Sequence, residues 1–259
     1  MEYFKIFKPT IQLAPYVKHY ILLKINRQSY VSQRVIPTGS TELLMYRRGY
    51  TNNIPKSFIG GYKSSFADLH PNGGEVEFIS IQFQPYGAKA FLDIPIDKTY
   101  NDTVSLDNLD DKSWNELYKR TVDVSDNEKC IPIIEDFLLK KLNTSRLKHL
   151  DRMAFGVNII NAASPINVST LADTLCLSEK QFKRVFQDYI GCNPKEFIRI
   201  VRFNKALNIL KTGKLFNFAQ IAQECGYSDQ SHLIREFKLF SGYTPREFLT
   251  PDTGLHHFI

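Results

Sequence analysis

One tryptophan, three methionines and four cysteines are all that the 259 residues contain of these types. The cysteines, Cys130, Cys176, Cys192 and Cys225, form no Cys-x-x-Cys pair, so the sequence offers neither zinc-ribbon spacing nor a dithiol redox motif. They are expected to be reduced and structural, with Cys176 and Cys225 buried near the ends of short apolar helices. Long apolar runs are also missing. Charges or prolines interrupt each one well before the ~18 residues that span a bilayer, which predicts no membrane partner. The start, Met1-Glu2-Tyr3-Phe4-Lys5, lacks the basic-then-apolar pattern of a secretion signal, so the expectation is a cytoplasmic chain. No P-loop, GxSxG or GxGxxG is found. His19 and His70 are isolated and His256-His257 falls in an expected tail, so no two-histidine-and-carboxylate metal site can be assembled. No catalytic residue, metal or cofactor is therefore assigned.

What the chain does have is ordinary for a globular protein: 43% hydrophobic and 23% charged residues, with a net charge of +6. Residues 151–259 carry half of that excess, so bulk charge does not locate a nucleic-acid domain. Residues 1 to about 105 read as mostly β. Glu42 to Tyr46 follows the turn Pro37-Thr38-Gly39-Ser40, and Phe58-Ile59 runs into Gly60-Gly61. From Glu75 to Gln84 the chain alternates, with Glu77, Ile79, Ile81 and Phe83 on one face and Val76, Phe78, Ser80 and Gln82 on the other. Pro85-Tyr86-Gly87 ends that strand, and Ala88 to Leu92 suits a helical turn or two. From Leu109 to Leu150 the period becomes helical, with Trp114, Leu117 and Tyr118 on one face, and Ile133, Ile134, Phe137, Leu138 and Leu142 on another. Asn161 to Pro165 reads as a hinge or short linker.

The last third says one thing twice. Phe186, Tyr189 and Gly191 lead to Asn193-Pro-Lys-Glu-Phe-Ile198, and about fifty residues on, Phe237, Phe240 and Gly242 lead to Thr244-Pro-Arg-Glu-Phe-Leu249. A duplication of this length means two copies of one supersecondary unit, and each copy reads as a helix-turn-helix. Ser178 with Gln181 gives the first unit's second helix a capping-box start. Phe182, Val185, Phe186 and Tyr189 form its core stripe, leaving Lys180, Lys183, Arg184 and Gln187 outside. In the second unit Ser228 is the expected cap and Leu233, Phe237 and Phe240 the core. Gln230, Ser231, His232, Arg235 and Lys238 lie outside, flanked by Ile234, which could pack on a thymine methyl. An α-helix fits the major groove, where Arg or Lys reads guanine and Gln reads adenine. Solvated charges are the plain alternative for such faces; the repetition favours DNA. Pro194 opens a helix expected to run to Lys211 and close at Thr212-Gly213, with Phe197, Ile200, Phe203, Leu207 and Leu210 buried. Its length is about 27 Å. Adjacent major-groove faces lie ~34 Å apart, so the helix could hold two reading heads about one turn apart.

These residues carry a resemblance. The segment from Ile166 to Leu249 is similar to the DNA-binding domain of the AraC/XylS family of bacterial transcription regulators. The most specific stretch is Ile221-Ala-Gln-Glu-Cys-Gly-Tyr-Ser-Asp-Gln-Ser-His-Leu-Ile-Arg-Glu-Phe237, with Gly242-Tyr-Thr-Pro-Arg-Glu-Phe248 following and Arg202-Phe203-Asn204-Lys205-Ala206 matching the linker helix. The resemblance implies base contacts from Lys180, Lys183 and Arg184 in the first unit and from Gln230, Ser231, His232 and Arg235 in the second. Ile234 departs from the small hydroxyl residue common at its position. Ser178, Gln187, Ser228 and Lys238 would meet phosphates. Leu13-Ala-Pro-Tyr-Val17, Ile36 to Leu43 and Phe83-Gln-Pro-Tyr-Gly-Ala88 resemble a cupin-like domain fused to such regulators, which implies a sensing or dimerising role.

The expectation is an α+β protein of two domains: an antiparallel β-barrel-like sensor over 1–108, a helical linker over 109–160, a double helix-turn-helix over 161–250 and a tail over 251–259. Its partners would be operator DNA, RNA polymerase and a small-molecule effector of unknown identity, with the chain a monomer or homodimer. Activation is what the resemblance implies, with repression the alternative. A front half that only dimerises or docks a protein is a second reading, and an enzyme with a DNA-binding tail a third. Tyr46, Phe58, Tyr62, Phe66 and Phe83 suit either an apolar effector pocket or an ordinary core.

Overall fold

The structure, a computed structural model, describes residues 3–27, 33–49, 55–69, 74–162, 166–212 and 217–250. His70, Gly213, the Ala163-Ser164-Pro165 part of the expected hinge and the tail with His256-His257 lie outside the described residues. The front half contains eight strands among the described residues: β1 (Tyr3–Phe7), β2 (Val17–Arg27), β3 (Gln33–Val35), β4 (Glu42–Arg48), β5 (Ser57–Gly60), β6 (Ala67–Leu69), β7 (Gly74–Phe83) and β8 (Thr103–Ser105). Six of them form an antiparallel sheet in the order β1-β2-β7-β4-β5-β8, and β3 pairs with β6 in a separate ribbon. The period-2 alternation read in β7 separates two apolar clusters. Ile79, Ile81 and Phe83 join Tyr20, Leu22, Leu43, Met45 and Ile59 in the larger one, while Val76 and Phe78 join Leu23, Ile25, Tyr46 and Phe58 in the smaller. β1 and β2 carry no clean alternation bounded by turn residues, so their sequences do not mark them as strands.

Helices α1 (Ser113–Val122) and α2 (Cys130–Lys141) cover the first face of the sheet. Trp114, Leu117, Ile134, Phe137 and Leu138 are buried there with the strand residues, and the Trp114 and Phe137 rings meet edge-on at 4.9 Å. Helix α3 (Leu150–Ala162) instead buries Met153, Val157 and Ile160 in the C-terminal core. The segment 109–160, expected as one linker, is thus divided between two cores, because the apolar faces of α1 and α2 match the sheet. The rest is helical: α4 (Val168–Thr174), α5 (Glu179–Ile190), α6 (Pro194–Lys211), α7 (Phe218–Glu224), α8 (Gln230–Ser241) and α9 (Pro245–Phe248). No helix among the described residues is long and apolar enough to cross a membrane.

The five aromatics considered as a pocket separate. Tyr46 packs with Phe58 and Phe78, Phe83 with Phe91, and Tyr62 with Phe197 of α6, while Phe66 lies under the Arg34 guanidinium.

Candidate nucleic-acid interface

The first unit is α4, a four-residue turn and α5. Asn167 caps α4 through its side-chain oxygen, which accepts from the Ser169 amide. Ser178 and Gln181 form the complete capping box at α5: the Ser178 hydroxyl accepts from the Gln181 amide, and the Gln181 side chain accepts from the Ser178 amide. Phe182, Val185, Phe186 and Tyr189 are buried, with Phe182 and Phe186 in edge contact at 5.3 Å. This stripe turns Lys180, Lys183, Arg184 and Gln187 outward, and all four are exposed. Lys183 is ion-paired with Glu179 one turn back, and that ammonium holds the Glu179 carboxyl below the usual range. Lys180 and Arg184 are therefore the first unit's more available cations.

The second unit repeats the plan with one correction. Ser228 does not cap α8; Asp229 does, its carboxylate accepting from the His232 amide at 2.7 Å. The two pairs of helices have equal lengths, seven and twelve residues, but the turn between α7 and α8 is one residue longer than that between α4 and α5. Asp229 is thus the counterpart of Ser178, and the extra residue displaces Ser228 outside the helix. The Ser228 hydroxyl donates to Asp229 and lies 3.1 Å from His232 Nδ1. The backbone bond and then the Ser228 hydroxyl hold the Asp229 carboxyl below its ordinary range.

This register puts Ser231 opposite Lys180, Ile234 opposite Lys183 and Arg235 opposite Arg184. Gln230, Ser231, Arg235 and Lys238 are exposed, and Ile234 is half-buried. His232 is half-buried too, its ring edge-on to Tyr227 at 5.2 Å, so it occupies the capping position that Gln181 takes in the first unit. Cys225 is buried, which pushes its thiol up to about 11. Cys176, expected buried, is exposed. It takes the left-handed turn position (φ 54°) that Gly226 fills in the second unit (φ 76°), and this turn directs its side chain away from the core.

Helix α6 joins the units. The capping box of Asn193 and Glu196 starts it, with Pro194 in the first turn, and Phe197, Ile200, Phe203, Leu207 and Leu210 are buried along it. Phe203 meets both Phe237 and Phe240 of α8, at 5.2 and 5.3 Å. Lys205 donates to the Glu224 carbonyl at the end of α7, a contact with no periodic signature in the sequence.

Residues 171–250 match the family model described as a helix-turn-helix domain, and the same part is similar to the solved structure of a transcriptional regulator from Chromobacterium violaceum containing an AraC-type DNA-binding domain. That likeness has 25% identity and a TM-score of 0.36 over 38% of this chain and 89% of that one. The C-terminal segment matches the helix-turn-helix family. Among curated relatives, the transcriptional regulator ArgR of Pseudomonas aeruginosa is 32% identical over 88 residues, 34% of this chain and 26% of ArgR. The transcriptional activator RhaS of Escherichia coli is 27% identical over 116 residues, 42% of this chain and 41% of RhaS. The chain thus spans less than half the length of these relatives. Residues 5–105 match a separate model described as a domain of unknown function, DUF6597.

Proposed function

We propose that the chain is a sequence-specific DNA-binding transcription regulator that lays α5 and α8 into successive major grooves under control of its N-terminal domain. The observation that carries this reading is the pair of outward faces on units joined by α6: Lys180 and Arg184 in the first unit, and Gln230, Ser231 and Arg235 in the second, are all exposed. Arg184 and Arg235, equivalent by register, are assigned to bases, where a guanidinium can take guanine O6 and N7 together. Lys180, Lys183, Gln187 and Lys238 supply charge or hydrogen bonds toward bases and phosphates. Ser178 and His232 would contribute less than the resemblance implies, since the Ser178 hydroxyl already accepts from the Gln181 amide and His232 Nδ1 is engaged with the Ser228 hydroxyl.

Activation is the preferred sign, in keeping with the activator RhaS among the relatives. RNA polymerase and a small-molecule effector complete the proposed partners, with the effector acting by its differing affinity for two arrangements of the domains. A cytoplasmic location follows from that role.

Selection of binding sequences from a random pool, followed by titration of Arg184→Ala and Arg235→Ala on the selected site, tests the reading. Each variant should lose about 1–3 kcal/mol and relax specificity at its own position. If neither changed binding, the assignment of α5 and α8 as reading helices would be wrong.

A further inference from the structure

Both reading helices end on a glycine in the left-handed conformation, Gly191 after α5 (φ 91°) and Gly242 after α8 (φ 77°). Each of these turns is pressed against the N-terminal domain. A methyl group on Gly191 would stand 3.0 Å from the Ile96 carbonyl oxygen, and one on Gly242 would collide with the Arg34 guanidinium and lie 2.9 Å from Phe66 Cε1. The first turn has further ties. Lys89 is paired with Asp188 at 2.6 Å, the Tyr100 hydroxyl donates to Glu196 at 2.6 Å, and the Tyr62 ring meets Phe197 at 5.8 Å.

The second turn is held chiefly by Arg34. Its Nε and Nη2 donate to the two Asp68 carboxylate oxygens at 2.7 and 2.8 Å, which fixes the plane of the guanidinium. Its Nη1 donates to the Ser241 carbonyl at 3.3 Å, in the last turn of α8, where helix carbonyls lack partners and a cation is favoured. The Phe66 and Tyr243 ring centroids lie 4.2 and 4.6 Å from its central carbon. These contacts meet the C-terminal ends of α5 and α8 and the first turn of α6. The outward residues Lys180, Lys183, Arg184, Gln230, Ser231 and Arg235 stay exposed.

We propose that the N-terminal domain is a cross-brace, gripping the closing turns of both reading helices to fix their spacing, with Arg34 the positioning residue for the second unit. This rests on the DNA-binding reading above. The duplicated glycine turn then has a use besides ending a helix: it is a pair of docking points for one rigid body. Two linked heads gain affinity only when their geometry allows both to engage, so a brace that sets the geometry acts on the two-headed site and not on either half.

The test uses full-length protein carrying Arg34→Ala, Arg34→Lys or Asp68→Asn. The DNA is the selected site, each half-site alone, and versions with a base pair inserted or removed between the halves. For Arg34→Ala the affinity of the full site relative to the half-sites should fall about fivefold or more, within the ordinary range of coupling between sites. The penalty for altered spacing should flatten, while the first half-site alone binds as before. Arg34→Lys should not rescue either readout, because lysine keeps the charge but lacks the planar fork. Should Arg34→Ala fail to fold, Asp68→Asn carries the test through the same readouts. An unchanged ratio and spacing penalty would overturn the brace. Tighter binding by Arg34→Ala would also overturn it, by showing that the contact restrains the heads. Failure of the unaltered protein to bind any selected sequence would overturn the DNA-binding reading itself.

Discussion

Arg199 of α6 and Glu236 of α8 form a two-pronged ion pair, with Arg199 Nη2 2.6 Å from one carboxylate oxygen and Nε 3.0 Å from the other. The hydrogen bond to Glu236 raises the Arg199 pKa above its ordinary value. The Arg199 side chain is 40% exposed and Glu236 12%, so solvent weakens the pair, and about 1 kcal/mol is a fair scale for its net contribution. Glu236→Ala should lower stability by that amount in chemical denaturation and loosen the second unit's grip on its half-site. An effect confined to the first half-site would contradict this placement.

The cap of α8 gives a prediction that separates two neighbouring residues. Asp229→Ala should lower the melting temperature, and Ser228→Ala should change it far less, because Asp229 accepts the His232 amide. The sign with pH follows from the depressed Asp229 carboxyl. Its stabilisation is present above the unfolded value of about 3.9 and is lost as pH falls through the lower folded value. Asp229→Asn should keep most of the cap and remove that part of the acid dependence. Melting curves from neutral to acid pH check both statements.

Cys176 sits where the second unit has glycine, in a backbone region that costs a residue with a β-carbon roughly 1–2 kcal/mol. Cys176→Gly should be neutral to stabilising by up to about 1 kcal/mol, less than the full strain because glycine also loosens the unfolded chain. Loss of more than that in denaturant titration would mean that the exposed thiol makes a contact needed for folding.

The first unit should carry the steeper electrostatic share of DNA binding. Removing a lysine that neutralises one phosphate lowers the salt slope by about 0.9. Lys180→Ala should approach that change. Lys183→Ala should fall short of it, because Glu179 already compensates that ammonium. Equal slopes for the two variants would show that the ion pair opens fully on DNA.

Much of this was legible in the sequence. The box of Ser178 and Gln181, the start at Pro194, the α6 stripe and the β7 alternation are local patterns whose period survives folding. The cap of α8 was misread because Ser178 and Ser228 match by residue type, while the extra residue in the second turn shifts the helical register by one. The offset between the copies contained that correction: Gly242 follows Gly191 by 242 − 191 = 51 residues and Pro245 follows Pro194 by 245 − 194 = 51, whereas Ser228 follows Ser178 by only 228 − 178 = 50. Arg34 was not legible at all. Its partner carbonyl on Ser241 lies 207 residues away, and no period or motif links a short ribbon strand to a helix end. The sheet order was hidden for the same reason, since β7 pairs with β2 and β4, which lie in distant parts of the chain.

The central claim is that one chain carries two unequal reading heads for one asymmetric site. Hydroxyl-radical footprinting of the selected operator, with wild type, Arg184→Ala and Arg235→Ala, tests it most directly. The account predicts two protected segments about 10 base pairs apart on one face of the duplex. Arg184→Ala should open one of them and Arg235→Ala the other. Loss of the same segment in both variants, or protection arranged as a symmetric inverted repeat by paired chains, would contradict it.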